Sequence, residues 1–338
     1  MPAASVRDVA ERAGVSVGTV SNVLNHPEKV SPAAVTRVQD AIGALGFIRN
    51  DAARQLRAGR SKTIGLIVLD VRNPFFTDVA RGAEDQAALS GLSVILGNSD
   101  ESSTRESTYL DLFEQQRVHG VLISPFGDVT HRLERLRKRG IPAVLVDRSG
   151  ADSSFSSVSV DDLAGGRMAV THLISCGRKR IAFVGGPLAI RQVTDRLEGA
   201  RLAAAEHPDI SLEVIVTDAL SVLAGRVAGN DVRERRTEDR PDAVFAANDL
   251  IAMGVLQALM MHNSAGIAVP EEIALIGYDD IDFASAAVVP LSSIRQPSGL
   301  IGQTAIGILL EEAADPGRPA RQIVFQPELV VRESTVGS

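Results

Sequence analysis

The chain has 338 residues, a net charge of −7 and a single cysteine, Cys176. That length exceeds one typical domain, so two or three units are expected. One cysteine excludes an internal disulfide framework and a Cys-built zinc site, which fits a reduced, cytoplasmic setting.

No apolar run approaches the roughly 20 residues that span a bilayer. At the N-terminus Arg7, Asp8, Glu11 and Arg12 interrupt any secretory core, so a soluble protein without a membrane partner is expected. Apolar residues make up 45% and aromatics only 4%, with no Trp, so Leu, Val, Ile and Ala must fill the core. Charge is unevenly spread. Residues 1–60 hold eight Lys/Arg against five Asp/Glu, while the remainder is acidic. A small basic head on an acidic body suits binding to phosphates at one end only.

Within the head, VRDVAERAGVSVGTVSNVLN (6–25) contains two short helical patterns that meet at Gly14. Ser5 with Asp8, and Ser16 with Thr19, are start signals. Val6, Val9, Ala10 and Ala13 share one face of the first helix, and Val17, Val20, Val23 and Leu24 do much the same on the second. Gly14 stands where a helix ends in a left-handed residue. Two helices joined in this way form a helix-turn-helix, whose second helix can enter a DNA major groove; the alternative is an ordinary helical hairpin in a core.

Ser31 and Pro32 open a third helix, with Val35, Val38, Ala41, Ile42 and Leu45 as its buried stripe and Gly46 as its end. Next comes RNDAARQLRAGRS (49–61). Asn50 can cap a short helix over Ala52, Ala53 and Leu56, but so few residues are not stable alone. The segment is either ordered on a partner or a solvated linker.

From Thr63 the texture changes. Apolar β-rich runs span 64–70, 92–98, 120–125, 142–147, 180–186, 212–218, 243–249 and 273–280, separated by helical stretches. Continuous Val/Ile/Leu strands alternating with helices indicate parallel sheets covered on both faces. Most runs end in Gly or a polar residue, at the edge where open α/β sheets bind ligands. The pattern restarts near 158, which implies two similar lobes with a cleft between them. Residues 219–240 are polar and read as a solvated helix end and loop.

The head motif, LRAGRSKTIGLIVLDVRNPFF, GGP, RLEGA, FAANDLIAMGVLQAL, VPEEIALIGYDD and PLSSIRQP together resemble, in order and along essentially the whole chain, the LacI/GalR bacterial transcription regulators. The resemblance implies an α/β protein. It has an all-α helix-turn-helix head (1–48), a hinge helix (49–61) and a core similar to periplasmic sugar-binding proteins (62–338). It places the N-lobe at about 62–158 and 291–320, and the C-lobe at about 159–290 and 321–338. It further implies a homodimer on palindromic operator DNA, acting as a repressor under control of a small effector, usually a sugar, and with no cofactor.

Carried over residue by residue, the recognition helix is Ser16 to Asn25. Val17, Gly18 and Asn22 hold base-facing positions, Thr19 and Ser21 suit phosphate contacts, and Ser16 at the helix start is a further DNA-binding residue. Asn22 replaces an arginine common in the family. Asn pairs with adenine and Val17 can meet a thymine methyl, so the half-site differs from that of Arg-bearing relatives. Gly18 costs a helix about 1 kcal/mol relative to Ala, and close approach to DNA is a reason to keep it. In the hinge, Leu56 matches the leucine that wedges into the minor groove, flanked by Asn50, Arg54 and Arg57.

The same resemblance places effector contacts at Asp70, Asn73, Phe75, Phe76, Asp147, Arg148, Asp161, Arg196, Asn248, Asp279 and Gln296. One or both phenylalanines are alternatively core, and Arg196 is alternatively in a surface ion pair with Asp195 or Glu198. One arginine among acids, amides and two phenylalanines suits a neutral mono- or disaccharide better than a phosphate ester or a purine. An enzyme is disfavoured: there is no GxSxG, HExxH, Walker loop or GxGxxG after a strand, and the six histidines show no metal spacing.

Overall fold

The computed structural model describes residues 4–47, 61–149, 154–260 and 266–336. It divides into two compact units, Met1–Arg60 and Ser61–Ser338.

The first unit is built on α1 (Val6–Ala13), α2 (Val17–Asn25) and α3 (Pro32–Leu45). Ser5 and Asp8 form a reciprocal capping box, and Gly14 ends α1 at φ 62°. Ser16 Oγ accepts the Thr19 amide at 3.0 Å. Ser31 is the cap residue of α3 by position, but its side chain makes no capping bond; Pro32 in the first turn sets the start instead. Val9, Val20 and Val38 are fully buried at the centre, with Ala10, Ala13, Val23, Ala41 and Phe47 around them. Each such valine contributes about 1.5–3 kcal/mol, enough to hold three short helices together.

The second unit contains two six-stranded sheets. Its elements run β1 (Thr63–Val68), α4 (Pro74–Ala88), β2 (Ser93–Asn98), α5 (Ser103–Gln115), β3 (Gly120–Ile123), α6 (Thr130–Lys138), β4 (Ala143–Val146) and β5 (Ser156–Val160). They continue with α7 (Asp162–Ser175), β6 (Arg180–Gly185), α8 (Arg191–Ala205), β7 (Ser211–Val216), α9 (Val222–Glu234), β8 (Ala243–Ala246), α10 (Asp249–Met260) and β9 (Ala274–Asp279). The last are α11 (Asp282–Ser285), β10 (Ser292–Arg295), α12 (Ser298–Ala314), β11 (Gln322–Phe325), β12 (Glu328–Val330) and α13 (Glu333–Val336).

One sheet has the order β11-β5-β4-β3-β1-β2 and is parallel throughout. The other is β12-β10-β9-β8-β6-β7, parallel except for its edge strand β12. All eight expected runs are strands. Four further strands, β5, β10, β11 and β12, were not expected as such.

The lobe edges expected at 158, 290 and 320 move to 160, 295 and 325. β5 runs on to Val160, β10 pairs with β9 of the C-lobe, and β11 pairs with β5 of the N-lobe. The chain therefore crosses between lobes at 161, at 296–297 and at 326–327. Segment 219–240 also differs from expectation. Most of it is α9, which buries Gly225, Ala228, Gly229 and Val232; glycine and alanine at the packed positions conceal the helical period.

Close helix pairing fixes the lobes. A Cβ at Gly82 of α4 would fall 2.0 Å from the Gly299 carbonyl oxygen, and one at Gly302 of α12 would fall 2.0 Å from that of Val79. In the C-lobe, α7 and α8 repeat the arrangement. A Cβ at Gly166 would lie 2.0 Å from the Arg196 carbonyl oxygen, and one at Gly199 the same distance from that of Leu163. The glycine on α7 thus sets where Arg196 stands.

Candidate functional site

The C-terminal ends of the strands face each other across the cleft, and helix starts bring side chains into it. Asn73 caps α4, its Oδ1 accepting the Phe75 amide at 3.0 Å. Its Nδ2 crosses the cleft and donates to Asp279 Oδ2 at 2.8 Å, linking N-lobe to C-lobe. Gln296, in the second crossing segment, donates to Asp279 Oδ1 at 2.7 Å. Arg196 Nη1 is 3.9 Å from the same oxygen. Asn248 accepts the Ile251 amide at the start of α10 and donates to the Leu220 carbonyl at 3.3 Å.

Arg196 is 4% exposed, so the surface ion pair is excluded; Asp195 pairs with Arg191 and Glu198 with Arg201. Three contacts hold the Arg196 guanidinium. Nε donates to Asp162 Oδ1 at 2.7 Å, Nη1 to the Ala247 carbonyl at 2.8 Å, and the plane stacks 3.7 Å from the centroid of the Tyr278 ring. Phe75 and Phe76 meet edge to face with centroids 5.0 Å apart. Both line the cleft and both belong to the core cluster, so the two readings of them hold together.

These groups surround a cavity of about 20 Å³, lined by Asn73, Phe75, Phe76, Asp147, Gln192, Arg196, Asn248 and Asp279. The other lining residues are Leu69, Ile190, Val193 and Leu220. Such a space is the size of one water and smaller than a sugar ring. Asp147 (φ 55°) and Asp279 (φ 103°) both sit in left-handed backbone at strand ends. That conformation is costly for a side-chain-bearing residue and clusters where ligands are gripped.

Burial raises the carboxyls of Asp147 and Asp279, with the neighbouring Asp162 adding to the effect and Arg196 opposing it. Asp162 is raised mainly by burial, against the pull of its own bond to Arg196. Desolvation opposes the Arg196 charge, but Asp162 and its neighbours outweigh it and hold the guanidinium protonated. Three buried acceptors have no hydrogen-bond partner: Asp147 Oδ1 and Gln192 Oε1 in the wall, and Gln296 Oε1 behind Asp279. A wall with unmet acceptors, one fixed guanidinium and two aromatic edges can hold a compact, uncharged molecule rich in hydroxyl donors.

Of the expected residues, Asn73, Phe75, Phe76, Asp147, Arg196, Asn248 and Asp279 come together, with Gln296 behind Asp279. Three stand apart. Asp70 is held by Arg72 at 2.9 Å, and Asp161 caps α7 through the Ala164 amide. Arg148 lines a neighbouring cavity of about 290 Å³ with Pro125, Asp128, Thr130 and Arg191. Sequence reasoning missed Gln192, Asp162 and Tyr278. Gln192 stands four residues before Arg196, hence on the same helix face, and that spacing was the available signal.

In the head, α2 separates its two faces. Val20 and Val23 are buried, Ser16, Val17, Gly18 and Asn22 are exposed, and Thr19 and Ser21 are partly covered. Val17 is 47% exposed, unusual for a valine beside a core. Asn50, Arg54, Leu56 and Arg57 lie outside the described residues. Among the described residues no group of His, Cys, Asp and Glu could hold a metal ion, and no helix is long and apolar enough to cross a membrane.

Residues 5–50 match the bacterial regulatory proteins of the lacI family, and residues 170–335 match the periplasmic binding protein-like domain. The ribose operon repressor of Escherichia coli (strain K12) is 34% identical over 336 residues, covering 98% of this chain and 99% of that protein. The lac repressor dimer bound to operator and the anti-inducer ONPF superposes with a TM-score of 0.82 at 26% identity, over 99% of this chain and 100% of that one. A LacI family regulator from Enterococcus faecium with bound ribose gives a TM-score of 0.72 at 30% identity, over 82% of this chain and 99% of that one.

Proposed function

The chain belongs to the lacI family of bacterial regulatory proteins, and on that premise we propose that it is a homodimeric repressor of sugar-metabolism genes, released from its operator by a monosaccharide of the size of ribose. It binds palindromic DNA through two copies of α2, with Val17, Gly18 and Asn22 toward the base edges and Ser16, Thr19 and Ser21 toward the phosphates. Asn50, Arg54, Leu56 and Arg57 meet the minor groove at the centre of the site. The chain acts by binding alone, as its relatives are regulators.

The observation that carries the effector reading is the set of three buried, unpartnered acceptors around Arg196 and Asp279. Hydroxyl donors satisfy them, whereas a phosphate would add charge to a site that already holds Asp147, Asp162 and Asp279 against one arginine. The cavity is smaller than a sugar, so the lobes part to admit the ligand and close on it. A ligand that prefers one arrangement of the lobes shifts the population toward it.

The test is to recover and sequence genomic DNA bound by the full-length protein, then measure binding to that operator by gel shift at several salt concentrations, with and without D-ribose. Salt-sensitive retention that D-ribose weakens is expected. Retention of unrelated sequences equally well, or a shift that no sugar of the panel alters, would sink the proposal.

A further inference from the structure

The Asp147 carboxylate is held from the opposite lobe. Asp147 closes β4 in the N-lobe, and Gln192 is the second residue of α8 in the C-lobe. Gln192 Nε2 donates to Asp147 Oδ2 at 2.9 Å and also reaches the Asp147 carbonyl oxygen. Both residues are 4% exposed. Oδ1, the second carboxylate oxygen, is buried without a partner.

We propose that Gln192 is a positioning residue for effector recognition: it fixes the Asp147 carboxylate so that Oδ1 accepts an effector hydroxyl, and it does so only while the two lobes are closed on each other. This rests on the cleft being the effector site.

Three features support it. The left-handed backbone at Asp147 sends the side chain along a path that ordinary strand residues do not take, and Gln192 is the side chain that meets it there. A single amide nitrogen contacting both the carbonyl and Oδ2 fixes the side-chain torsion, which leaves Oδ1 a defined direction.

The second feature is electrostatic. The charged groups that face Asp147 are Asp162 from α7 and Asp279 from β9, which oppose its charge, and Arg196 from α8, which favours it. Burial and Asp162 push the carboxyl upward, and Arg196, then the Gln192 bond, hold it down. Without that bond the carboxyl protonates more readily and offers a donor where a hydroxyl needs an acceptor.

The third feature is topological. Because donor and acceptor belong to different lobes, a ligand that uses Oδ1 binds the closed arrangement better than the open one. That difference in affinity is what a population shift requires.

The test is a double-substitution cycle on the full chain: wild type, Gln192→Leu, Asp147→Asn and the double variant, melted between pH 5 and pH 8, with Gln192→Met in reserve should the leucine variant not fold. Leucine fills the space but donates nothing. The melting deficit of Gln192→Leu is expected to widen by about 3 °C or more toward pH 8, and that widening to disappear in the Asp147→Asn background. In wild type, D-ribose affinity is expected to depend on pH over this range less than it does in the variant. In Gln192→Leu it should fall at least about tenfold and acquire the steeper pH dependence. A deficit independent of pH and additive with Asp147→Asn would show that Gln192 only fills space, and would overturn the proposal. If D-ribose does not bind wild type, the sugar assignment fails, and the melting cycle still decides the role of Gln192.

Discussion

Replacing Asp279 by alanine removes the carboxylate at which the two lobes and the crossing segment converge. Asn73 Nδ2 and Gln296 Nε2, at 2.8 and 2.7 Å, lose their acceptor, and Arg196 loses a neighbour. The stability of the free protein changes in two opposing ways. Two buried amides are stranded, while a buried carboxyl that burial had raised no longer needs to ionise. The informative quantity is therefore the stabilisation that ligand adds to each variant. Hydrogen bonds to a charged acceptor are worth about 1.5–3 kcal/mol each, so losing about 2 kcal/mol weakens binding about 30-fold. At a sugar concentration 100-fold above the wild-type Kd, ligand stabilises wild type by about 2.7 kcal/mol and the variant by about 0.9 kcal/mol. For a unit of this size that is roughly 5–10 °C against roughly 2–4 °C. Differential scanning fluorimetry over a panel of sugars measures both. A full-sized shift in Asp279→Ala would refute the reasoning; should alanine prevent folding, Asp279→Asn keeps one acceptor and the same logic.

Gly18→Ala has room in the free head, because the new Cβ would meet only Ser16 Oγ at 3.5 Å. It should stabilise α2 by about 1 kcal/mol yet weaken operator binding in a gel shift, and unchanged affinity would remove the argument that Gly18 lies against DNA. Asp249 accepts Ser293 Oγ and the Ile281 amide while fully buried, and burial raises its carboxyl well above the usual range. A folded-state value above the unfolded one adds stability at low pH that is lost as pH rises through the folded value. Asp249→Asn should therefore lose less melting temperature than wild type between pH 5 and pH 8, and parallel curves would contradict this. Gly166→Ala would drive a Cβ to 2.0 Å from the Arg196 carbonyl. Forcing α7 and α8 apart should cost about 1–3 kcal/mol and weaken sugar binding through Arg196; calorimetry that finds normal affinity would separate Arg196 from this helix contact.

Much of the architecture was legible because burial on both faces writes itself as apolar runs dominated by Val, Ile and Leu, as in 64–68 and 273–276, where only Gly65 and Ala274 intervene. The strands that escaped are serine-rich or half-exposed. β5 reads SSVSV and is buried throughout, its Ser156 Oγ donating to Glu312 and its Ser157 Oγ to Gln322. In β10, Ser292 Oγ meets Thr335 Oγ1 and Ser293 Oγ donates to Asp249. These hydroxyls are acceptable inside only because partners from 43 to 165 positions away satisfy them, and no local pattern announces such partners. Within the site, motif resemblance located Asp279 and Arg196. The groups that hold Arg196 in place, Asp162 and Tyr278, are visible only once α7 and β9 are packed against α8.

The three lobe crossings have a consequence for how the molecule is made. Residues 61–160 lack their sixth strand until 322–325 have emerged from the ribosome, and the C-lobe waits for 328–336 to close its edge. During synthesis, therefore, the helical head, complete by residue 47, can fold while both lobes are still unfinished. A chain interrupted between residues 296 and 320 would carry a competent DNA-reading head on two open sheets. Such a fragment has the means to approach an operator and no cleft with which to be told to leave it.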